Sequence, residues 1–381
     1  MMVSSGFRAM LLKLGLPGDR LMALEGKGGV VEDEFEGIRY VRFRDSARSF
    51  RRGTVVFENG DVVLGFPHIK RVVQLETGIN RVFKNKPFYV EEKVDGYNVR
   101  VVKVKDGILA LTRGGFVCPF TTERILDFIN DEFFKDYPNL VLAGEMAGPE
   151  SPYIVEGPPY VKEDIRFFLF DIQEKGSGRS LPVEERYRLA EEYGIPHVET
   201  FGIYDRSKID ELYELIERLS REKREGIVMK TPDMKKIAKY VTPYANINDL
   251  KIGSHIFFDL PHGYFMGRIK RLAFYLAEKH VKGEEFDEYA KALGKALLRP
   301  FVESIHEVAS GGEVEEVFTV RVKNISTAHK MVTHFERLGV KIHIEDIEDL
   351  KNGYWRITFK RVYPDATREM RELWNGLAFV D

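Results

Sequence analysis

Between residues 86 and 252 the apolar positions follow two rhythms, and each predicts a different element. Short apolar or alternating runs predict strands: FYVEEKV, VRVVKVK, ILALTR, LVLAGEM, IRFFLFDIQ, GIVMKT and KIAKYVT. Helical spacing appears between them. Residues 122–135 carry Ile125, Phe128, Ile129 and Phe133 on one face, and residues 207–221 carry Ile209, Leu212, Ile216 and Leu219. SLPVEERYRLAEEYGIP predicts a further helix, with Ser180 as N-cap, Pro182 in the first turn, and Gly194 then Pro196 as the stop. Before this region a helical patch near the N-terminus gives way to strands, and Asn59-Gly60 inside VVFENGDVVLGF predicts a hairpin. After residue 253, residues 263–280 and 285–309 read as long amphipathic helices, with a break or kink expected at Pro300. Ser310-Gly311-Gly312 leads to a strand, a helix, two strands and a helix, an order that suits a small ferredoxin-like sheet. The chain thus reads as an α+β multidomain protein in four units: a small α/β module with a basic patch (1–62), a domain of mostly antiparallel sheets (63–252), a helical segment suited to dimerisation (253–312), and a βαββα module (313–381).

Composition narrows the class. A chain of 381 residues exceeds one compact core, and 44% hydrophobic with 31% charged residues suits a soluble multidomain protein. No apolar run approaches the roughly 18 residues of a membrane span, and no basic segment precedes the N-terminal patch, so no membrane association is expected. The single cysteine, Cys118, excludes an internal disulfide and a cysteine-rich zinc site, and points to a reducing, cytoplasmic setting. The net charge of −2 hides a local asymmetry: Glu32, Asp33, Glu34 and Glu36 precede Arg39, Arg42, Arg44, Arg48, Arg51 and Arg52. Arginines interleaved with Tyr40, Phe43 and Phe50 can track a phosphate backbone and stack on bases; the same run also reads as a solvated face.

FYVEEKVDGYNVR raises the chemical question. A strand-like start runs into Lys93, set among Glu91, Glu92 and Asp95 and followed by Gly96. Asp-Gly is a turn dipeptide, so a solvated hairpin end competes with a lysine nucleophile. Five further strand-borne motifs favour the nucleophile: LTRGG with Arg113, LAGEMAG with Glu145, FFLFDIQ with Phe168, Phe170 and Asp171, REGIVMK with Glu225 and Lys230, and KKIAKYV with Lys236 and Lys239. An amine attacks phosphorus only without its proton, whereas a free lysine titrates near 10.4. Neighbouring cations, a metal and partial burial are expected to lower that value, and Lys230 and Lys239 supply charge that also grips a triphosphate. Glu145 and Glu225, at strand ends, suit a divalent metal held through its waters, as magnesium is. Alternation places Phe168 and Phe170 on one face and Asp171 on the other, so one ring can lie flat on a purine.

The order K-x-D-G, R-G, G-E, F-D-I, E-G-x-V-x-K and a lysine-rich strand resembles the covalent nucleotidyltransferase superfamily of ATP-dependent DNA ligases, RNA ligases and messenger-RNA capping enzymes. The layout of the whole chain is similar to that of the archaeal homodimeric ATP-dependent RNA ligases. The resemblance implies an ATP-grasp-like nucleotidyltransferase domain, ATP with Mg2+ (or Mn2+) as cofactors, RNA with 5′-phosphate and 3′-hydroxyl ends as substrate, and a homodimer. It implies that Lys93 is adenylylated, that Glu92 and Val94 flank the adenine, and that Asp95 and Gly96 shape the turn. Arg113 would contact the ribose or the accepting 5′-phosphate, and Glu145 the ribose or the metal. Phe170 would stack on adenine, with Phe168 as alternate. Glu225 would help hold the metal, and Lys230 and Lys239 would contact phosphates. Three departures stand out. Asn98 replaces the arginine found in many ligases two residues after the K-x-D-G glycine, leaving Arg100 as a candidate nucleotide contact. Lys236 and Lys239 lie three apart, so both cannot face the phosphates from a regular strand, and Lys239 is preferred. No C-terminal β-barrel with its basic motif is apparent, which argues against the alternatives of a DNA ligase and a GTP-using capping guanylyltransferase. A non-catalytic nucleotide- or RNA-binding protein on the same fold is the remaining alternative.

Overall fold

The computed structural model describes residues 3–105 and 107–376; residues 1–2 and 377–381, at the ends of the first and last expected units, lie outside the described residues. The N-terminal part packs α1 (Ser5–Lys13) and α2 (Gly18–Gly26) with β1 (Val30–Phe35), β2 (Ile38–Phe43), β3 (Val55–Phe57) and β4 (Val62–Val63), which form one antiparallel sheet in that order. The Asn59-Gly60 turn is present: Gly60 has φ +91° and Asn59 Oδ1 accepts from the Asp61 amide at 3.1 Å.

The central region contains β5 (Lys70–Arg71), α3 (Leu75–Phe83), β6 (Phe88–Lys93), β7 (Tyr97–Val104), β8 (Gly107–Thr112), α4 (Pro119–Arg124), α5 (Asp131–Asp136), β9 (Leu140–Ala147), β10 (Arg166–Glu174), α6 (Val183–Glu192), β11 (Thr200–Tyr204), α7 (Ile209–Arg221), β12 (Gly226–Lys230) and β13 (Ile237–Val241). These strands make two sheets, ordered β11–β6–β12–β13–β5 and β10–β9–β7–β8. The two strands that flank Asp95-Gly96 belong to different sheets. Residues 94–96 therefore form no hairpin; they carry the chain from one sheet to the other and leave Lys93 at the cleft between them. Gly96 permits this crossover, since a Cβ there would lie 2.6 Å from the Met146 carbonyl oxygen.

Two helix expectations change. Residues 122–135 do not form one helix: α4 passes into a 3-10 turn, Ile125–Asp127, and α5 starts afresh with Asn130 Oδ1 accepting from the Glu132 amide. Ile125, Ile129 and Phe133 are buried all the same, which explains the helical spacing without one helix. At α6 the N-cap is Pro182, because the Ser180 hydroxyl donates instead to Asp171 Oδ2 at 2.8 Å.

The C-terminal part contains α8 (Pro243–Ser254), α9 (His262–Glu278), α10 (Gly283–Ala309), β14 (Glu315–Val322), α11 (Ile325–Arg337), β15 (Lys341–Asp349), β16 (Trp355–Val362) and α12 (Pro364–Trp374). The expected break at Pro300 is absent: α10 runs through it. Proline removes one backbone donor, but Ala296 and Val308 are buried on either side, and Phe301 stacks on Phe257 with ring centroids 4.9 Å apart. The final sheet has the order β14–β16–β15. Its core is continuous with the central region, since one buried cluster joins Phe120, Phe133, Leu142, Phe167 and Leu169 to Val320, Phe335, Ile357 and Phe359. From α11, His334 Nε2 meets the Tyr153 hydroxyl at 2.7 Å and Arg337 meets Asp33 at 2.9 Å, so this helix touches both preceding parts. Among the described residues no helix is long and apolar enough to cross a membrane.

Candidate active site

A cavity of about 570 Å³ opens between the two central sheets. Strand register explains what lines it. Across the five-stranded sheet, Glu91, Val228, Lys239 and Arg71 form one rung, and Lys93, Gly226 and Val241 form another two residues along. Residues two apart share a face, so Glu91 with Lys93, Val228 with Lys230, and Ile237 with Lys239 all reach the cavity wall. Gly226 fits beside Lys93 because it has no side chain; a Cβ there would lie 2.2 Å from the Tyr240 carbonyl oxygen.

Lys93 is largely buried, and its Nζ lies 2.5 Å from Glu225 Oε2. Burial alone would lower its pKa, but Glu225, Glu145 and Asp95 outweigh that and hold it above the usual lysine value. The expectation that crowded cations depress this amine is thus corrected: its close neighbours are carboxylates. The carboxylates carry the strain instead. Burial, joined by repulsion from Glu225, pushes Asp95 up to about 8 and, against the pull of Lys93, pushes Glu145 up to about 7. Two other lysines are depressed: Lys239 is brought down to about 8 by burial and by the positive charges of Lys93 and Arg71, and Lys230 to about 8 by burial and by Arg186.

At the other end of the cavity, Glu91 is fully buried. Arg186 and Lys230 both pair with it, and the Tyr187 hydroxyl donates to it at 2.7 Å. Burial works to raise the Glu91 pKa, and the two cations reverse it, holding the carboxyl at about 2. Lys230 Nζ also donates to the Phe170 carbonyl at 2.7 Å. Lys230 is therefore held at the Glu91 end of the cavity wall. Phe170 sits in a β-bulge: Leu169 and Asp171 oppose consecutive residues of β9, leaving Phe170 as the extra residue. The bulge breaks the expected alternation, so Phe170 and Asp171 both line the cavity whereas Phe168 does not. The Phe170 ring meets Phe66 edge-on at 5.2 Å. Asp171 is buried; its Oδ2 accepts from Gln173 and Ser180, and its Oδ1 has no partner. Glu92 and Val94 also lie on the wall, with the Glu92 carboxylate engaged by Tyr160 at 2.8 Å and Arg224 at 2.6 Å.

Arg113 reaches the cavity from the turn after β8, where Gly115 has φ +82°. Arg100 does not reach it. Its buried guanidinium donates to the carbonyls of Leu64 (2.7 Å), Gly53 (2.9 Å) and Thr112 (2.8 Å), and burial brings its pKa down to about 9. It staples the N-terminal loop to the Arg113 turn, and its candidacy as a nucleotide contact is corrected accordingly. Lys236 precedes β13 and is absent from the wall, because Ile237 and Lys239 hold the inward positions. Sequence reasoning missed Phe66, Tyr153 and Leu338 on the wall, since none lies in one of the motifs; Arg52, read only as part of the arginine run, and Asn98, read only as a departure from the ligase pattern, also line it.

Comparison with known proteins agrees with this geometry. The family model described as RNA ligase matches residues 86–241, and the model described as Ligase Pab1020 C-terminal region matches residues 252–377. An uncharacterized protein of Methanocaldococcus jannaschii is 37% identical over 329 residues, covering 84% of this chain and 82% of its own. A solved structure described as an archaeal ATP-dependent RNA ligase superposes with a TM-score of 0.91 at 32% identity, covering 98% of this chain and 99% of that one. A structure from Aquifex aeolicus, provisionally named an ATP-dependent DNA ligase, superposes with a TM-score of 0.89 at 34% identity, covering 96% and 100%. By whole-chain similarity and by the motifs that converge on one cavity, the chain belongs to the archaeal ATP-dependent RNA ligase family.

Proposed function

We propose that the protein joins RNA ends through a lysine–AMP intermediate at Lys93. The observation that carries this reading is the position of the Lys93 amine: on the cleft between the sheets, 2.5 Å from Glu225, in a cavity that also takes Arg113, Glu145, Phe170 and Lys239. The lone pair of Lys93 Nζ forms a bond to the α-phosphorus of ATP. The bond from that phosphorus to the bridging oxygen breaks, and its electrons leave with pyrophosphate. The ammonium proton passes to the facing carboxylates and on to water. An oxygen of an RNA 5′-phosphate then attacks the adenylate phosphorus, and the released amine regains a proton. Finally a 3′-hydroxyl attacks the activated 5′-phosphate, giving its proton to solvent, and AMP leaves. Alignment and charge neutralisation dominate each step.

The carboxylate set fits a hydrated divalent ion. Glu145 and Glu225 both act on Lys93 and supply two hard oxygen ligands, a number that suits an ion whose shell is completed by waters and substrate oxygens. Such an ion supplies positive charge to the phosphate oxygens. Glu145 and Glu225 would hold it, and that engagement would weaken their grip on the Lys93 ammonium. The base end favours adenine, because the free acceptor Asp171 Oδ1 suits a 6-amino group and repels the 6-oxo group of guanine. A homodimer is supported by the apolar face of the helical segment, where Phe274, Phe286 and Leu298 are exposed next to a groove between α9 and α10.

The test is incubation with ATP, magnesium and 5′-phosphorylated single-stranded RNA, with nicked DNA in parallel. The expected products are adenylylated protein, adenylylated RNA, and joined or circular RNA. Absence of adenylylated protein and RNA under all conditions overturns the proposal, and preferential sealing of nicked DNA overturns the choice of polymer.

A further inference from the structure

We infer that α9 of the helical segment, together with Arg71, forms the seat for the β- and γ-phosphates of ATP and for the pyrophosphate that leaves. This rests on the reading of Lys93 above. The rung Glu91, Val228, Lys239, Arg71 runs across four strands from the buried base end to the edge strand β5. A nucleotide whose base lies against Phe170 and Asp171, with its α-phosphate at Lys93, therefore directs its remaining phosphates toward Lys239 and Arg71. That is where α9 packs. Arg268 and Arg271 lie three apart, on one face of the helix. Arg268 is held rigidly: its Nε donates to Asp249 at 2.8 Å, and its guanidinium lies 3.3 Å from the Tyr264 ring centroid. Arg271 Nε donates to Asn246 at 2.6 Å, while its Nη2 is buried without a partner among the described residues.

Charge balance points the same way. Around Lys93 three carboxylates face one amine. On the side of α9 the balance reverses. Arg71 and Arg271 face Glu225, already bonded to Lys93, and Asp249, already bonded to Arg268. Burial and the positive charges of Arg71 and Arg268 bring Arg271 down to about 10. With Arg268 fixed by Asp249, the exposed Arg71 and the half-buried Arg271, which holds an orphan donor, suit a compact polyanion. Nothing in attack by Lys93 requires them for the α-phosphorus itself; their place suits the group that collects the electrons when the phosphorus–oxygen bond breaks.

The test compares Arg71→Gln, Arg268→Gln and Arg271→Gln with the unaltered protein in three reactions: self-adenylylation at varied ATP, pyrophosphate-driven removal of AMP from adenylylated protein, and joining of chemically pre-adenylylated RNA without ATP. The first two should fall about tenfold to a hundredfold for each variant, the loss of one charge-assisted contact, while the third changes less than about twofold. Equal loss in the third reaction would assign the arginines to RNA, and no loss in any would leave them purely structural; either result overturns the inference. Arg71→Gln, on an exposed edge-strand position, carries the test if the α9 variants lose their thermal transition. If the unaltered protein takes no label from ATP, it is the Lys93 reading that fails.

Discussion

At the scale of single residues, the site stores its tension in carboxylates, and that tension makes two predictions. Glu145 and Asp95 are raised to about 7 and about 8, whereas unfolded carboxyls titrate near 4. The folded state thus binds their protons more tightly than the unfolded chain does. Their favourable contribution is complete below pH ~4 and is lost as pH rises through the folded values, on the order of 3 kcal/mol for Glu145 alone. Protons and a divalent ion compete for the same oxygens. Differential scanning fluorimetry should therefore show a magnesium-induced rise in Tm that is small at pH 5 and larger at pH 9, and Glu145→Gln should flatten that dependence. A magnesium effect independent of pH would contradict it. The second prediction concerns the base. Asp171→Asn replaces the orphan acceptor with a group that also donates, and should move the ratio of ATP to GTP labelling toward GTP by about tenfold. An unchanged ratio would remove Asp171 from base selection.

At the scale of elements, the two sheets decide which residues meet. Lys93, Arg113, Glu145, Glu225 and Lys239 were legible in the sequence as residues of strand-borne motifs in a fixed order; the structure brings Lys93, Arg113, Glu145 and Lys239 to one cavity and bonds Glu225 to Lys93. Three features were not legible. The Asp-Gly dipeptide looks like a hairpin, but whether the next strand pairs with the last one is settled by distant partners: β6 pairs with β11 and β12, and β7 with β8 and β9. The bulge at Phe170 depends on how β10 fits β9, which no periodicity in β10 reveals. Arg71 joins the phosphate side only through parallel pairing with Lys239, far along the chain. Arg100 makes the point quantitatively. It resembled a nucleotide ligand but staples three carbonyls, so Arg100→Leu should lower stability by roughly 1–3 kcal/mol or more in urea titrations, and folded molecules should keep most of their labelling rate. Arg113→Ala should do the opposite, sparing stability and slowing the reaction. A loss of labelling in folded Arg100→Leu protein would return it to the nucleotide site.

At the scale of the whole molecule, the expected units do not behave as beads on a string. The core of the final module is continuous with that of the central region, Arg52 and Phe66 bring the N-terminal side onto the cavity wall, and Leu338, just past α11, also lines it. The helical segment meets the phosphate side through α9 and leaves Phe274, Phe286 and Leu298 exposed. Light scattering at micromolar concentration should give twice the chain mass, and Phe286→Glu with Leu298→Glu should give the mass of one chain; an unaltered protein already monomeric would dismiss the homodimer. In the proposed function all of this serves one chemical event, the capture of AMP by a single amine. The most direct measurement is peptide mapping by mass spectrometry after incubation with ATP and magnesium. The account predicts one AMP adduct, acid-labile, on the peptide bearing Lys93, absent from Lys93→Ala and diminished in Lys239→Ala. An adduct on any other residue, or one that persists in Lys93→Ala, would contradict it.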